Sequence, residues 1–180
     1  MSTHYFIAIS VEGLNSELKT VQQTLDTSLF KHIVHPEDFH ITLMFLGKAT
    51  EEQLSDLGTR LKEITRNIKP FEIIPKGIGV FGKQSQPRVL YVDVEKGKSL
   101  ERLHGLVIES CEAAGFKRDP REYRPHITIA KKWKDPEKHI GRNMPEIKKE
   151  THEISSIELY RVAPLEKPRY KCVERYEFQK

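Results

Sequence analysis

Apolar residues recur along the chain with two spacings, every second position in some stretches and every third or fourth position in others. Alternation over Tyr5-Phe6-Ile7-Ala8-Ile9 predicts a strand. Leu14, Leu18, Val21 and Leu25 then recur at helical spacing. The first predicted unit is therefore a strand followed by a helix.

Similar patterns continue through the rest of the chain. Thr50 and Gln53 have the spacing of a capping box, which predicts the start of a helix that runs on to Ile64. A further helix from Leu100 ends at Gly115, a residue typical of helix C-termini. Strands are predicted over residues 39–47, 71–80, 88–94, 123–130, 154–161 and 170–178. Segments 71–80 and 88–94 have the spacing of a hairpin, and the charged segment 131–150 is predicted to be a solvated connection.

This mixed order of strands and helices predicts an α+β fold and argues against a doubly wound nucleotide-binding fold. The chain also has no glycine-rich phosphate loop. The triplet His-Ile-Thr occurs twice, at residues 40–42 and 126–128, each time inside a predicted strand. The repeat indicates a duplicated body with two lobes.

Each triplet places an imidazole beside a hydroxyl. Side chains at positions i and i+2 of a strand face the same side, so His40 projects with Thr42, and His126 projects with Thr128. The intervening isoleucine of each triplet points toward the core. Two such strands side by side would surround a phosphate with two histidines and two hydroxyls.

Phosphodiester cleavage requires that the attacking oxygen lose a proton while the departing oxygen gains one. Two histidines can carry both proton transfers, so we expect no metal at this site. Threonine hydroxyls would stabilise charge on the other phosphate oxygens, and Lys131 and Lys132 follow the second triplet closely enough to assist.

Composition adds little to this picture. The chain has 180 residues, which fits one domain spanning residues 1–180, and its net charge of +4 mildly favours an anionic partner. It contains no apolar run long enough for a membrane span, and its N-terminus does not resemble a secretory signal. We therefore expect a cytoplasmic protein. Cys111 and Cys172 lie in unlike contexts and predict neither a disulfide framework nor a zinc site.

Two other interpretations of the triplets remain open. Both histidines could be ordinary strand residues whose ring nitrogens are hydrogen-bonded in or near the core. A two-histidine metal site is a weaker alternative, because neither triplet has a cysteine or carboxylate at ligand spacing.

The sequence resembles the two-histidine phosphoesterases, and among them the RNA 2′,3′-cyclic phosphodiesterases once described as 2′-5′ RNA ligases. Both triplets and their surroundings carry the resemblance, which covers essentially the whole chain in the family's order and spacing. The matching segments are residues 5–9, 36–47, 87–91, 123–130 and 168–170.

This resemblance implies a bilobal body with both motifs on the floor of a central groove lined by antiparallel strands, and it implies no cofactor. It assigns His40 as the acid that protonates the departing ribose 3′-oxygen and His126 as the base that activates water. The expected partner is RNA with a 2′,3′-cyclic phosphate terminus, with tRNA fragments among the candidates. The expected product is a 2′-phosphomonoester, and the reverse direction would account for ligase activity. No obligate protein partner is evident.

The chain departs from the family where an arginine commonly follows the second motif. Lys131 and Lys132 keep the positive charge there but lack the guanidinium fork that suits phosphate. Phe6 and Tyr123 are candidates for stacking on a nucleobase. Two alternative functions are a phosphoesterase for a small cyclic phosphate metabolite, and a non-catalytic module that binds RNA ends.

Overall fold

Antiparallel pairing of strands organises the fold. The computed structural model describes residues 3–141 and 144–180, and within them the chain forms ten strands and three α-helices. In chain order these are β1 (Tyr5–Ser10), α1 (Asn15–Thr24), β2 (Phe30–Ile33), β3 (His40–Gly47), α2 (Glu51–Thr65), β4 (Phe71–Ile73), β5 (Pro75–Gly82), β6 (Pro87–Val94), α3 (Lys98–Ala113), β7 (His126–Trp133), β8 (His152–Ile154), β9 (Ser156–Val162) and β10 (Tyr170–Glu177).

The main sheet has the order β10-β9-β1-β3-β7-β6-β5, with β2 added beside β7, while β4 and β8 form a separate two-stranded sheet. The two strands that carry the His-Ile-Thr triplets, β3 and β7, are therefore neighbours at the centre. Their one registered pair joins Ile41 to Ile127. This mixture of helices with a mainly antiparallel sheet confirms the predicted α+β class.

The predicted helix boundaries have the expected local causes. The Thr50 hydroxyl accepts from the Gln53 backbone at 3.1 Å, and the Gln53 side chain accepts from the Thr50 backbone at 3.2 Å, which completes the capping box. Gly115 follows α3 at φ +87°, a conformation that side chains disfavour. No helix in residues 3–141 or 144–180 is long and apolar enough to span a membrane.

The core lies on the face of the central strands opposite the histidines. Ile41 and Ile127 are both 0% exposed, as expected for the middle residue of each triplet. They pack in one apolar cluster with residues from all three helices. Members of this cluster on the helices are Leu18, Val21, Leu57, Leu61, Leu100, Leu103, Val107, Ile108 and Cys111.

Several predicted segments differ from the structure. The predicted hairpin strand 71–80 is two strands, because β4 leaves the main sheet and pairs with β8 while β5 pairs with β6. The strand predicted over 123–130 begins at His126 and continues to Trp133. The first three residues of segment 131–150, predicted to be a solvated connection, therefore belong to β7. That connection also buries Ile147, and its residues 142–143 lie outside the described residues. Strand β2 was not predicted, because Phe30 to Ile33 has no apolar alternation and forms a strand by pairing with β7.

Candidate active site

The pairing of β3 with β7 brings the two triplets together. Because Ile41 lies opposite Ile127 in an antiparallel pair, His40 comes opposite Thr128, and His126 comes opposite Thr42. Each imidazole therefore has a hydroxyl on its own strand and another on the facing strand. The four side chains lie on the sheet face opposite the two buried isoleucines.

His40 is held at both ring nitrogens. Its Nδ1 lies 2.7 Å from the Asp38 carbonyl oxygen, and its Nε2 lies 3.0 Å from the Thr42 hydroxyl. A carbonyl can only accept, so Nδ1 carries a hydrogen, and Nε2 of the neutral ring accepts from Thr42. Burial lowers the pKa of His40 to about 4, with a smaller contribution in the same direction from the charge of Lys131.

His126 is held at one ring nitrogen. Its Nδ1 donates to the Arg124 carbonyl oxygen at 2.6 Å, which leaves Nε2 of the neutral ring as the proton acceptor. Phe81 and Tyr91 lie edge-on to this ring, at centroid distances of 5.0 and 5.2 Å. Burial lowers the pKa of His126, and the charge of Lys131 contributes in the same direction.

A bulge in β7 brings Lys131 to the same face as His126. Across the β6–β7 pair, Tyr91 lies opposite Thr128 but Leu90 lies opposite Ala130, so Ile129 has no opposite residue. Without this bulge, strict alternation would turn Lys131 away from the histidines. The bulged residue, Ile129, is held by residues outside the β6–β7 pair. Its carbonyl oxygen accepts hydrogen bonds from the Gln22 side chain at 3.1 Å and from the Val34 backbone N–H at 2.9 Å.

The structure separates the two candidate lysines. Lys131 is half-buried, and burial followed by the charge of Arg169 lowers its pKa. Lys132 is exposed and adopts φ 62°, in the left-handed region. Lys131 therefore lies on the face of the two histidines, while the side chain of Lys132 is exposed.

A matching bulge in β3 brings Phe45 to the equivalent place in the first half of the sheet. Ala8 of β1 lies opposite Thr42 but Ile7 lies opposite Met44, so the register skips Leu43. Phe45 consequently shares the face of Thr42 and is 61% exposed. Phe45 and Lys131 occupy corresponding positions, each three residues beyond the threonine of its triplet.

A cavity of about 690 Å³ extends from Thr42 and His126. Its apolar lining includes Phe45 and Phe81, and its basic lining consists of Arg88, Arg118, Arg121 and Arg124. Arg118 and Arg121 pair with nearby carboxylates. Arg88 and Arg124 make no ion pair with any residue that the structure describes. Four arginines against two carboxylates, Asp119 and Glu122, in the lining give the cavity a positive balance, which favours an anionic ligand.

The two aromatic candidates for base stacking take other places. Phe6 is 3% exposed, with its ring stacked on Tyr160 at 5.2 Å and tilted against His40 at 5.0 Å. The expectation for Phe6 is wrong, because neighbouring rings on the site face cover it and leave no open face for a base. Tyr123 lines the cavity, but its ring is already stacked on His104 at 3.6 Å.

Asp38 and Arg169 are contributors that the sequence did not indicate as site residues. The Asp38 carboxylate, only 3% exposed, accepts from the backbone N–H of Arg169 at 2.8 Å and of Tyr170 at 3.0 Å. Its own carbonyl is the one that fixes His40. The sequence Pro36-Glu37-Asp38 predicts a turn. It does not predict that Asp38 is buried by residues 169 and 170, from the other end of the chain.

Neither the cysteines nor any acidic cluster adds to the site. Cys111 is a buried free thiol, and burial raises its pKa to about 12, while Cys172 is an exposed free thiol. Within the described ranges, no three His, Cys, Asp or Glu side chains are grouped as metal ligands would be.

Comparison with known families and folds agrees with this arrangement. Residues 11–161 match the model of the 2′-5′ RNA ligase superfamily. An RNA 2′,3′-cyclic phosphodiesterase of Bacillus subtilis is 40% identical over 131 residues, 72% of each chain. One from Archaeoglobus fulgidus is 35% identical over 73% of this chain and 74% of its own.

Solved structures show the same fold at lower identity. TT0787 of Thermus thermophilus superposes with a TM-score of 0.82 at 24% identity, and the match covers 98% of each chain. LigT of Escherichia coli in its apo form gives a TM-score of 0.81 at 17% identity, over 99% of this chain and 98% of the other. These two likenesses extend over nearly all of the chain, including both triplet strands.

Proposed function

This chain belongs to the 2′-5′ RNA ligase superfamily, and we propose that it hydrolyses 2′,3′-cyclic phosphates at RNA ends to 2′-phosphomonoesters. The observation that carries the proposal is the β3–β7 register, in which each histidine faces the threonine of the other strand. The relatives named RNA 2′,3′-cyclic phosphodiesterase support the choice of substrate.

In the proposed reaction, His126 Nε2 removes a proton from water as the water oxygen bonds to phosphorus. His40 reacts in its protonated form, in which Nε2 carries a hydrogen and Thr42 no longer donates to it. That Nε2 donates its proton to the ribose 3′-oxygen as the bond between the 3′-oxygen and phosphorus breaks. The 2′-oxygen keeps the phosphate. The proton taken by His126 and the proton lost by His40 balance, and exchange with solvent restores the starting states.

The remaining groups stabilise the negative charge that the phosphate oxygens carry. Thr42 and Thr128 donate hydroxyl hydrogens, and Lys131 supplies a positive charge on the same face. Lys132 has no part in the proposal because its side chain is exposed. With a ribose 5′-hydroxyl in place of water, the same proton transfers would form a 2′-5′ linkage, so ligase activity belongs to the proposal.

The cavity lining favours RNA over the two alternative functions. A small cyclic metabolite would fit best in a closed apolar pocket, whereas this cavity carries four arginines. A module that only binds RNA ends would not need both Nε2 atoms free of carbonyl partners. RNA fragments, tRNA fragments among them, are therefore the proposed substrates.

The remaining parts of the proposal concern the setting of the protein. We place it in the cytoplasm, without an obligate protein partner, and we treat residues 1–180 as a single two-lobed domain. The sheet order, in which the two triplet strands meet at the centre, supports the last point.

The test incubates the protein in EDTA with a short RNA that ends in a 2′,3′-cyclic phosphate. We expect full turnover to a 2′-phosphate, since the two imidazoles transfer the protons themselves. Mass spectrometry detects the added water, and resistance of the product to a 3′-specific phosphatase identifies the isomer.

RNA with a 3′-phosphate end serves as the unreactive control. A 3′-phosphate product would contradict the roles of the two oxygens. Activity that is lost in EDTA and restored by zinc or manganese would contradict the metal-independent mechanism. Tight binding of the cyclic end without turnover would favour the binding module.

A further inference from the structure

The guanidinium of Arg169, a half-buried residue, has one nitrogen that is buried without a partner among the described residues. Its Nε is inaccessible to solvent and makes no hydrogen bond in residues 3–141 or 144–180. Neither Arg169 nor Lys131 forms an ion pair within those residues. Burying a donor without a partner is costly, and an anionic ligand that accepts from Nε would compensate that cost.

The position of Arg169 is fixed by the residue that also fixes His40. Asp38 accepts from the Arg169 and Tyr170 backbone through its carboxylate, and from His40 through its carbonyl. Tyr170 packs edge-on against His40 at 5.1 Å. Arg169 therefore lies on the His40 side of the groove.

Lys131, on the face of the two histidines, lies near Arg169. The Arg169 charge lowers the pKa of Lys131, after burial, so the two cations are close. The Lys131 charge acts in turn on His40 and on His126.

We propose that Arg169, with Lys131, forms a second anion subsite for the phosphodiester on the 5′ side of the terminal nucleotide. This inference rests on the proposed function, in which His40 protonates the ribose 3′-oxygen. The terminal ribose then lies on the His40 side of phosphorus, and its 5′-phosphate extends along the same side toward Arg169. The subsite recognises a polymer, because a cyclic mononucleotide has no such phosphate.

The test compares three substrates in the full-length protein. They are a dinucleotide with a 2′,3′-cyclic phosphate end, the same dinucleotide with a neutral methylphosphonate linkage, and a nucleoside 2′,3′-cyclic phosphate. Replacing the linkage should lower the wild-type kcat/KM about 10- to 100-fold, the range for a lost hydrogen bond between charged groups.

Arg169→Met should lower kcat/KM on the normal dinucleotide by a similar factor. It should change the rate on the mononucleotide and on the methylphosphonate by less than about threefold, since neither carries the charge that Arg169 binds. Arg169→Lys should recover part of the loss, as its charge remains without the fork. Arg102→Met, which removes an exposed arginine on α3 that does not line the cavity, is the matched charge control.

Equal losses of kcat/KM on all three substrates would overturn the subsite. Arg169 would then act on the reacting phosphate if the thermal midpoint of Arg169→Met is unchanged, or on folding if that midpoint is lowered. An unchanged rate on the normal dinucleotide would also overturn the subsite. The subsite can be tested even if the proposed function fails, by comparing the affinities of wild type and Arg169→Met for the two dinucleotides. A wild-type protein that hydrolyses none of the substrates, yet binds the normal linkage more tightly through Arg169, would contradict only the function.

Discussion

The two halves of the site begin from one sequence pattern and differ in what surrounds it. Each half has a His-Ile-Thr strand with a bulge directly after the threonine, at Leu43 in β3 and at Ile129 in β7. In both halves the bulge returns the residue three positions beyond the threonine to the site face. That residue is exposed Phe45 in the first half and half-buried Lys131 in the second.

The histidines differ in the same way. His40 is fixed at both ring nitrogens and enclosed by Phe6 and Tyr170, whereas His126 is fixed at Nδ1 and lines the open cavity. An enclosed, doubly held imidazole suits a group that must deliver a proton to one fixed oxygen. An imidazole at an open cavity suits a group that must meet water. In the proposed mechanism, the duplicated motif supplies the two imidazoles, and their unlike surroundings support the assignment of acid and base.

The largest expected effect comes from removing either imidazole. His40→Ala and His126→Ala should each lower kcat on cyclic-ended RNA about 100- to 10,000-fold, the range for general acid or base catalysis. The double variant should be little worse than either single variant, because the two groups act as one unit. Single-turnover kinetics measure the losses, and His139→Ala, in an exposed segment, is the control.

A substrate with a better leaving group distinguishes the two halves. A nitrophenyl phosphodiester needs little protonation of its departing oxygen, so it should rescue His40→Ala far more than His126→Ala. Rescue of His126→Ala instead would reverse the assignment of acid and base. Additive losses in the double variant would contradict the concerted use of both histidines.

How far the sequence predicts this site depends on whether a feature is local. The repeat and strand alternation predict that His40 and Thr42 project together, and that the isoleucine between them is buried, because both follow from the geometry of one strand. The bulge is different. It depends on the partner strand and on Gln22 of α1, which binds the Ile129 carbonyl, so no local pattern chooses Lys131 over Lys132.

Distance along the chain explains the other differences. Arg169 belongs to a matching family segment, but its place beside His40 depends on Asp38, from which it is separated by 131 residues. Phe6 has the strand alternation of a residue on the site face, and it lies there. Tyr160 and Tyr170 cover the Phe6 ring from strands that are distant in sequence, so the ring is buried and cannot stack on a base.

The threonines should show the next largest effect. Thr42→Val and Thr128→Val should each lower kcat about ten- to a thousand-fold by removing a donor to the phosphate oxygens, with folding intact. Thr42→Val should also alter the pH profile, because Thr42 is bonded to His40 Nε2. No such hydrogen bond joins Thr128 to His126 in the described residues, so Thr128→Val should leave the pKa values of the pH–rate profile unchanged.

Serine variants at both positions restore the hydroxyl and serve as controls. Thermal midpoints close to that of the wild type would show that the folded state is retained. Wild-type rates in both valine variants would mean that the hydroxyls are ordinary strand residues. An equal change of pH profile in both would contradict the difference between the two halves.

The smallest expected effect is a displacement of the pH profile that depends on Lys131. The profile of kcat/KM reports the pKa values of the free enzyme. The positive charge of Lys131 contributes to lowering the pKa of both His40 and His126 because it disfavours a second positive charge nearby. Lys131→Met removes that charge, so both pKa values should rise and both limbs of the kcat/KM profile should move to higher pH, whatever the loss in rate.

Lys132→Met is the matched control and should leave the limbs unmoved, since the side chain of Lys132, at a residue of left-handed backbone conformation, is exposed to solvent. A displacement of the limbs to lower pH, or an equal displacement in both variants, would contradict the conclusion that the β7 bulge places Lys131, and not Lys132, beside the histidines.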